Sequence, residues 1–318
     1  MRNGTGVHRV EADWVLNDFC NYDCEYCFFH SKEHESVGLI SPQEYLDFFD
    51  KTDKVWLFHF TGGEPLFYPG FAELCRVLST SHYIALNSNL ASNEILRFAE
   101  LVDPERVEYI HCSVHPQQRE LHNGHLELLT RVRALSEGGY AIFASCVMTP
   151  AVFAKFEEIQ NLFLSLDVPL IPKSLRGTYR GRPYPESYTD GQREQLQAFA
   201  ASAEKVARRS PWRPFRSQPT INPLLDRHFL DGFPDFTDIA CSAGVNFVRI
   251  KPDGNIYRCG RNSLMGNLFD RKLELYGNSR PCDDSCCPYI CLRYTGVSIA
   301  HAQQLPKRIR LSSSFDVL

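Results

Sequence analysis

Three cysteines lie within eight residues of one another near the start of the chain. Cys20, Cys24 and Cys27 have the spacing Cys-x-x-x-Cys-x-x-Cys. Thiolates this close in sequence can face one metal centre, and a [4Fe–4S] cluster is normally held by four cysteines. Three local cysteines would leave one iron open to bind another molecule. Zinc is the rival metal, but structural zinc motifs usually pair cysteines at short, repeated spacings and supply a fourth ligand. The spacing therefore favours an iron–sulfur cluster.

A glycine pair and a carboxylate form the second candidate site. The segment Thr61-Gly62-Gly63-Glu64-Pro65 follows a predicted strand at Val55–Phe60. Glycines at the end of a strand let the backbone approach a ligand closely, and Glu64 could accept hydrogen bonds from an ammonium group. An ordinary Gly-Gly turn, with Pro65 starting a helix, explains the same residues equally well.

A second group of cysteines lies towards the end of the chain. Six of the twelve cysteines fall between Cys241 and Cys291. Asp253-Gly254, between two β-rich runs, predicts a hairpin that brings Cys241 and Cys259 to one end. Six thiols can ligate one cluster with two to spare. A structural zinc site that uses four of them is the alternative.

The elements that must position these residues alternate between strands and helices. The predicted strands are Asp13–Leu16, Val55–Phe60, Tyr83–Asn87, Val107–Ser113, Tyr140–Met148 and Pro169–Lys173. A capping box at Ser41-Pro42-Gln43-Glu44 opens the first helix. Six βα units in a row predict an α/β fold with a parallel sheet. The pattern fits both an open doubly wound sheet and a partial barrel.

Composition narrows the classes of function. The chain has 318 residues, 43% of them apolar, and a net charge of −4, which argues against a general nucleic-acid binder. No run of about 18 apolar residues predicts a membrane span, and Met1 to Val10 lacks the apolar core of a signal peptide. We therefore expect a cytoplasmic protein in a reducing compartment, where metal binding outranks disulfides.

The first cysteine group and the glycine segment together resemble the radical S-adenosylmethionine (SAM) superfamily. Tyr26 stands where that family carries an aromatic residue near the adenine, and Gly62-Gly63-Glu64-Pro65 matches its segment at the end of the second strand. The resemblance implies a partial (β/α)6 TIM-type barrel and a [4Fe–4S] cluster whose open iron chelates SAM. Reductive cleavage would give a 5′-deoxyadenosyl radical that takes a hydrogen atom from the substrate. The positions implied to contact SAM are Tyr26, Gly62, Gly63, Glu64, Pro65, Asn87 and Ser113.

One of these positions departs from the family pattern. Relatives often carry Ser-x-Asp-Gly after the fourth strand, where this chain has Ser113-Val114-His115-Pro116. This difference weakens the expectation that Ser113 contacts SAM. His115 is interpreted either as a substrate contact or as a polar residue that ends a strand.

The second cysteine group resembles the SPASM and twitch modules of radical SAM enzymes, which carry auxiliary [4Fe–4S] clusters. A full SPASM module has seven cysteines, and this region has six. The resemblance implies a small C-terminal β-hairpin/α cysteine-rich module with one auxiliary cluster. Its implied ligands are Cys241, Cys259, Cys291 and a fourth chosen, in falling order, from Cys287, Cys286 and Cys282.

The resulting domain prediction has four parts. They are a barrel at 10–209, a bridge at 210–235, the auxiliary module at 236–295 and a tail at 296–318.

Cys112 and Cys146, on predicted strands, could face the barrel lumen and donate hydrogen atoms, although strand cysteines are more often core residues. The segment Arg176–Tyr188 is predicted as a loop, and its part Arg176–Arg182 would suit an acidic or phosphorylated substrate if it is not simply solvated.

The predicted function is radical modification of a ribosomally made peptide by cross-linking, oxidation or epimerisation. Dehydrogenation or epimerisation of a small sugar or aminocyclitol is the alternative enzyme activity. A non-catalytic zinc-binding protein is the alternative of another class. Only 19 residues precede Cys20, which suggests a small substrate or a separate peptide-recognition protein. A flavodoxin or ferredoxin is the expected electron donor, and neither nucleic acid nor a membrane is an expected partner.

Overall fold

The structure is a computed structural model that describes residues 10–27, 39–209, 227–259, 263–282 and 292–308. Its first part alternates strands and helices as predicted. The elements are β1 (Val10–Val15), α1 (Pro42–Asp50), β2 (Trp56–Thr61), α2 (Phe71–Leu78), β3 (Tyr83–Ser88), α3 (Glu94–Leu101), β4 (Val107–Val114), α4 (Pro116–Leu121), α5 (His125–Glu137), β5 (Ile142–Met148), α6 (Phe156–Leu164) and β6 (Leu170–Ser174).

The six strands are parallel and lie side by side in the order β1-β2-β3-β4-β5-β6. Side chains from α1, α2, α3, α5 and α6 share one hydrophobic core with alternate residues of these strands. A doubly wound sheet would place helices on both faces. The sequential order, with α1, α2, α3, α5 and α6 on one face, therefore matches a partial TIM-type barrel. Among the described residues the sheet does not close.

Aromatic packing explains why the first helix lies where it does. The Trp14 ring of β1 packs against Tyr45 and Phe49 of α1, with ring centroids 5.2 and 5.6 Å apart. Ser41 caps the helix and forms the predicted capping box with Glu44. The apolar stripe of α1 is thereby fixed against β1 and the neighbouring β2.

The other face of the sheet, here called the inner face, has its own small core near the beginnings of the strands. Leu57, Tyr109, Phe143 and Ile171 pack there with Ala203. Ala203 lies on α7 (Asp190–Arg209), a helix that follows β6 and a short hairpin. Apart from Glu11 of β1, the inner face is thus mainly apolar at the amino ends of the strands, and most of its polar residues lie nearer the carboxyl ends.

The bounds of the predicted strands differ from the structure by one to three residues, and two predicted elements differ most. β1 begins at Val10 rather than Asp13, because Val10 and Glu11 already pair with β2. The predicted loop at 176–188 contains an antiparallel hairpin of β7 (Gly177–Tyr179) and β8 (Arg182–Tyr184). Gly177 and Gly181 both have positive φ, which lets the chain reverse tightly.

The C-terminal region continues the same sheet. Its elements are β9 (Phe233–Pro234), β10 (Ala240–Cys241), β11 (Phe247–Ile250), β12 (Asn255–Tyr257), β13 (Leu264–Asn267), β14 (Lys272–Leu273), β15 (Arg280–Pro281), α8 (Leu292–Thr295), α9 (Ile299–Gln304) and β16 (Lys307–Arg308). β11 pairs in parallel with β1, and β12 to β14 follow as antiparallel strands. The hairpin predicted at Asp253-Gly254 is present, with Gly254 at φ +79.

No helix in the described ranges is long and apolar enough to cross a membrane.

Candidate functional site

The cysteine segment lies directly against the glycine segment that follows β2. Gly63 donates its backbone N–H to the carbonyl of Asn17 at 2.8 Å, and Glu64 donates to the carbonyl of Phe19 at 2.7 Å. Gly62 has φ +145, and a side chain there would overlap the backbone of Asn17. The glycines are therefore needed because two stretches of backbone meet. In the structure their partner is the chain that leads into the first cysteine.

The carboxylate of Glu64 is buried behind this contact, with 1% exposure. It accepts hydrogen bonds from the Ser88 hydroxyl at 2.6 Å and from the backbone N–H groups of Asn89 at 2.7 Å and Leu66 at 3.2 Å. Burial raises its pKa to about 7, although these hydrogen bonds act in the opposite direction. A carboxylate offers about four acceptor positions, so Glu64 has capacity for a further donor. It also caps the short 3₁₀ helix that begins at Pro65.

Asn89 connects this carboxylate to the first cysteine. Its side-chain amide donates to Oδ1 of Asn21 at 2.8 Å and lies 3.9 Å from Sγ of Cys20. The backbone N–H of Tyr22 donates to the same sulfur at 3.4 Å. Burial raises the pKa of Cys20 to about 11. A metal that binds here must therefore displace a proton from a neutral thiol.

The second cysteine is enclosed by two ring side chains. Sγ of Cys24 lies 3.5 Å from Nδ1 of His115, and the Tyr26 hydroxyl lies 2.9 Å from the same nitrogen. Cys27 folds back so that its N–H donates to the carbonyl of Cys24 at 2.9 Å. Burial raises the pKa of Cys24 to about 12. His115, left open between two roles by the sequence, is thus a neighbour of the cysteine segment.

Long-range polar contacts fix the rest of the cysteine segment. The Gln118 side chain donates to the carbonyl of Asp23 at 3.0 Å and accepts from its N–H at 3.3 Å. Arg180, at the tip of the β7–β8 hairpin, forms an ion pair with both carboxylate oxygens of Glu25 at 2.9 and 3.1 Å. These partners are 95 and 155 residues apart in sequence. No local pattern could have identified Gln118, and Arg180 was placed only in a loop.

Arg119 is a further residue that the sequence analysis missed. It is fully buried and donates to the backbone carbonyls of Asn89 and Gly124. Its guanidinium also lies over the Tyr22 ring, 5.3 Å from the centroid. Arg119 therefore ties the turn after β3 and the start of α5 to the cysteine segment.

Asn87 and Ser113 occupy the inner face at the carboxyl ends of β3 and β4. Oδ1 of Asn87 lies 2.9 Å from Nδ1 of His111, whose Nε2 lies 2.7 Å from the Ser145 hydroxyl. Ser113 is half-buried beside Ser145 in the strand register. A contact of Asn87 or Ser113 with SAM stays a prediction. Asn89, two residues beyond Asn87, is the member of its segment that reaches the cysteines.

A second polar array lies deeper on the inner face. Nε2 of His59 lies 2.9 Å from a carboxylate oxygen of Glu11, and its Nδ1 lies 2.8 Å from the Tyr109 hydroxyl. Tyr294, from the C-terminal region, donates its hydroxyl to the same Glu11 oxygen at 2.8 Å. This array bonds the C-terminal region to the barrel strands from within.

The expectation that Cys112 and Cys146 could face the lumen is wrong. Both are fully buried, and both belong to the core that the strands share with the surrounding helices. Strand residues alternate between faces, and Cys112 and Cys146 fall on the helix side with Ile110 and Ala144. Neither thiol is placed to donate a hydrogen atom to a substrate on the inner face.

Three described cysteines of the second group are held in one neighbourhood by Arg258. Its guanidinium donates to the carbonyls of Ala243, Arg280 and Pro281 at 3.1, 2.8 and 3.0 Å. These carbonyls belong to the chain near Cys241 and just before Cys282, and Arg258 itself precedes Cys259. Cys241 and Cys259 pack against one small cluster of Ala243, Phe247 and Tyr294. The other candidate ligands, Cys286, Cys287 and Cys291, lie outside the described residues.

The donor set at the first site consists of three cysteine thiols, which are the usual ligands of a [4Fe–4S] cluster. Each cysteine of such a cluster binds a different iron, so the three sulfurs need not meet at one point. Within the described residues, no three His, Cys, Asp or Glu side chains are placed to hold one metal ion. None of the three cysteines is in a disulfide.

A comparison with known proteins identifies the first part of the chain. A sequence model described as the radical SAM superfamily matches residues 14–139, which contain all three loop cysteines and the Gly-Gly-Glu-Pro segment. This part of the chain is a radical SAM domain. Members of this superfamily use a [4Fe–4S] cluster together with SAM.

Solved structures with this fold extend the match beyond the radical SAM domain. SuiB of Streptococcus suis, solved with bound S-adenosylmethionine, is similar over 83% of this chain and 64% of its own, at 14% identity and a TM-score of 0.57. The SuiB structure with its precursor peptide SuiA aligns over 98% of this chain and 76% of its own, at 14% identity and a TM-score of 0.57. Native anSMEcpe with bound AdoMet and Kp18Cys peptide aligns over 82% and 78% of the two chains, at 16% identity and a TM-score of 0.55.

These likenesses establish a shared fold. The chain spans slightly less than two thirds of the SuiB chain in the SAM-bound structure. No curated protein sequence matches the chain.

Proposed function

We propose that this chain is a radical SAM enzyme in which Cys20, Cys24 and Cys27 hold a [4Fe–4S] cluster with one iron open to SAM. When bound, that cluster supplies the electron that splits SAM into methionine and a 5′-deoxyadenosyl radical. One observation carries the proposal. The Gly-Gly-Glu segment is hydrogen-bonded to the chain entering the cysteine segment, and Asn89 contacts both Glu64 and Cys20.

The surrounding residues would position SAM and exclude water. Glu64 is a buried acceptor close to Cys20, and its free acceptor capacity suits the SAM ammonium. Three ring side chains pack together beside the sulfur of Cys24. They belong to Tyr22, Tyr26 and His115. Hydrogen bonds to a charged ligand are stronger in such a buried site than in water, because the local dielectric constant is low.

Anaerobic reconstitution tests this function directly. The purified chain should bind iron and sulfide and, with a chemical reductant, convert SAM to 5′-deoxyadenosine measured by chromatography. Two cubane clusters correspond to about eight irons per chain. About two zincs per chain, with no iron uptake and no cleavage, would instead indicate the non-catalytic zinc-binding protein.

Replacing Glu64 by glutamine should weaken SAM binding while the first cluster still assembles. One lost charge-assisted hydrogen bond is worth about 1.5–3 kcal/mol, so the dissociation constant for SAM should rise about ten- to a hundredfold. Calorimetry on the anaerobic, iron-loaded Glu64→Gln variant measures this. Glu105→Gln, on the exposed turn before β4, is the matched control and should bind SAM normally. An unchanged affinity of Glu64→Gln for SAM would show that the Gly-Gly-Glu-Pro segment serves only as a structural turn.

The C-terminal cysteines are proposed to hold one auxiliary [4Fe–4S] cluster in a module at about 236–295. The supporting observation is that the Arg258 guanidinium donates hydrogen bonds to backbone carbonyls close in sequence to Cys241 and Cys282, and that Arg258 directly precedes Cys259. Cys241, Cys259 and Cys291 are the proposed ligands, with Cys287, Cys286 or Cys282 as the fourth. The continuous sheet through β11 and β1 would keep this module against the barrel.

Separate cysteine variants should empty the two sites independently. A Cys20/Cys24/Cys27 triple alanine variant should keep about four irons per chain, because the auxiliary ligands remain. Cys241→Ala or Cys259→Ala should keep SAM cleavage but fail to form the normal product. Iron analysis with electron paramagnetic resonance checks the first result, and product analysis checks the second. Zinc without iron in the triple variant, both as isolated and after reconstitution, would make the second site a structural zinc site.

The proposed substrate is a ribosomally made peptide. The support is the fold shared with SuiB and anSMEcpe, both of which were solved with peptides bound. Its reacting C–H bond would lie over the inner face near His111 and Ser113. A flavodoxin or ferredoxin is the proposed electron donor, and peptide recognition would use a separate protein. Incubation with peptides encoded next to the gene, followed by mass spectrometry, tests this. Turnover of a sugar or aminocyclitol instead would contradict the peptide assignment.

A further inference from the structure

His115 is fixed rigidly against the second cysteine of the radical SAM segment. It is the first residue after β4 and precedes Pro116, the first residue of α4. Its backbone carbonyl accepts the N–H of Arg119 at 2.9 Å, within the first turn of the helix. The imidazole is also held by rings on two sides. Tyr26 stacks on it at 6.2 Å between centroids, and Tyr22 meets it edge-on at 5.7 Å.

The ring nitrogen that faces the site is Nδ1. It lies 3.5 Å from Sγ of Cys24 and 2.9 Å from the hydroxyl oxygen of Tyr26. A metal-bound thiolate has no proton and can only accept hydrogen bonds. With Cys24 in that form, the favourable arrangement places the imidazole proton on Nδ1, directed at the sulfur. The Tyr26 hydroxyl lies close enough to His115 to join the same small network.

Hydrogen bonds to ligand sulfurs are one of the main determinants of iron–sulfur reduction potentials. A donor stabilises the extra negative charge of the reduced cluster more than that of the oxidised one, so it raises the potential. Cys20 has two such donors, the backbone N–H of Tyr22 and the Asn89 amide. Those donors come from the segment itself and from the turn after β3. Cys24 instead has the Tyr26 hydroxyl and an imidazole as neighbours, and the imidazole stands at a position where relatives often carry aspartate.

We propose that His115 is a positioning residue for the SAM-cleaving cluster, donating from Nδ1 to the Cys24 sulfur and raising the reduction potential of the cluster. The inference rests on the proposed function, because it needs Cys24 to be a cluster ligand. An acceptor-only carboxylate at this place could not act in the same way, so the histidine gives this chain a cluster that is easier to reduce.

Potentiometry on the intact, reconstituted chain tests the inference. The measured signal is the electron paramagnetic resonance of the reduced cluster that changes when SAM is added, which separates it from any auxiliary cluster. His115→Leu should shift the midpoint potential to more negative values at full iron content. His115→Asn keeps an N–H donor near the same place and should recover a large part of the shift. His125→Ala, on an exposed residue at the start of α5, should cause none.

A spectroscopic measurement on the wild-type chain tests the same inference if the His115→Leu variant does not assemble its cluster. Wild-type chain labelled with ¹⁵N-histidine should show a weak ¹⁵N coupling to the reduced, SAM-sensitive cluster in pulsed measurements, and His115→Asn should lose it. Absence of that coupling in the wild type, or an unchanged potential in an iron-loaded His115→Leu variant, overturns the inference and leaves the proposed function intact. A wild-type chain that takes up no iron overturns the proposed function itself.

Discussion

Cys24→Ala is expected to abolish reductive cleavage of SAM while the protein remains folded. The thiol lies in a segment outside the strands and helices, so its loss leaves the core of the sheet untouched. The remaining two cysteines cannot hold a cubane with a single open iron. 5′-Deoxyadenosine should therefore fall to the level of a protein-free control in an anaerobic assay with excess reductant. Circular dichroism and the thermal midpoint should stay close to those of the wild type.

Cys75→Ala is the matched control for this loss. Cys75 is fully buried on α2 within the main core, far in sequence from the metal segments. Truncating a small buried side chain there should cost about 1–2 kcal/mol of stability, with cleavage and iron content unchanged. Undiminished cleavage by purified Cys24→Ala would contradict the assignment of the cysteine segment.

Gly63→Ala is expected to be the most damaging single-methyl change near the site. A Cβ at this position would overlap the backbone carbonyl of Phe19 and lie 2.7 Å from the carbonyl oxygen of Asp18. Both neighbours are backbone, so neither can turn aside as a flexible side chain would. Separating the two stretches would break the hydrogen bonds from Gly63 to Asn17 and from Glu64 to Phe19. We expect about 2–4 kcal/mol of destabilisation, together with loss of iron from the first site.

The control is Gly191→Ala, in the first turn of α7. A Cβ there has no neighbour within 4 Å, and alanine is the better helix former. Its unfolding midpoint should equal or slightly exceed that of the wild type, with normal iron uptake. Chemical denaturation and iron analysis of both variants give the comparison. A Gly63→Ala variant as stable and as iron-loaded as Gly191→Ala would mean that the tight approach of the two segments is not required.

The sequence by itself determined the secondary-structure elements and the chemical motifs that are continuous along the chain. Alternating apolar runs and a capping box predicted the six βα units, and their bounds differ from the structure by a few residues. A spacing of three cysteines, followed by Gly-Gly-Glu-Pro, identified the radical SAM domain at residues 14–139 because both motifs are continuous in sequence. The Asp253-Gly254 hairpin was found for the same reason. Those features depend on neighbours along the chain, where spacing and backbone preference are sufficient.

Tertiary structure alone decided which residues meet. It placed all the barrel helices that share the core on one side of the sheet, which separated a partial barrel from a doubly wound fold. It also put Cys112 and Cys146 on the helix side, since one residue of register decides which face a strand side chain occupies. His115, Gln118 and Arg119 reached the cysteine segment across some 90 residues through the packing of α4. Such contacts leave no periodic or spaced signal, because they arise only when distant parts of the chain are brought together by the burial of the core.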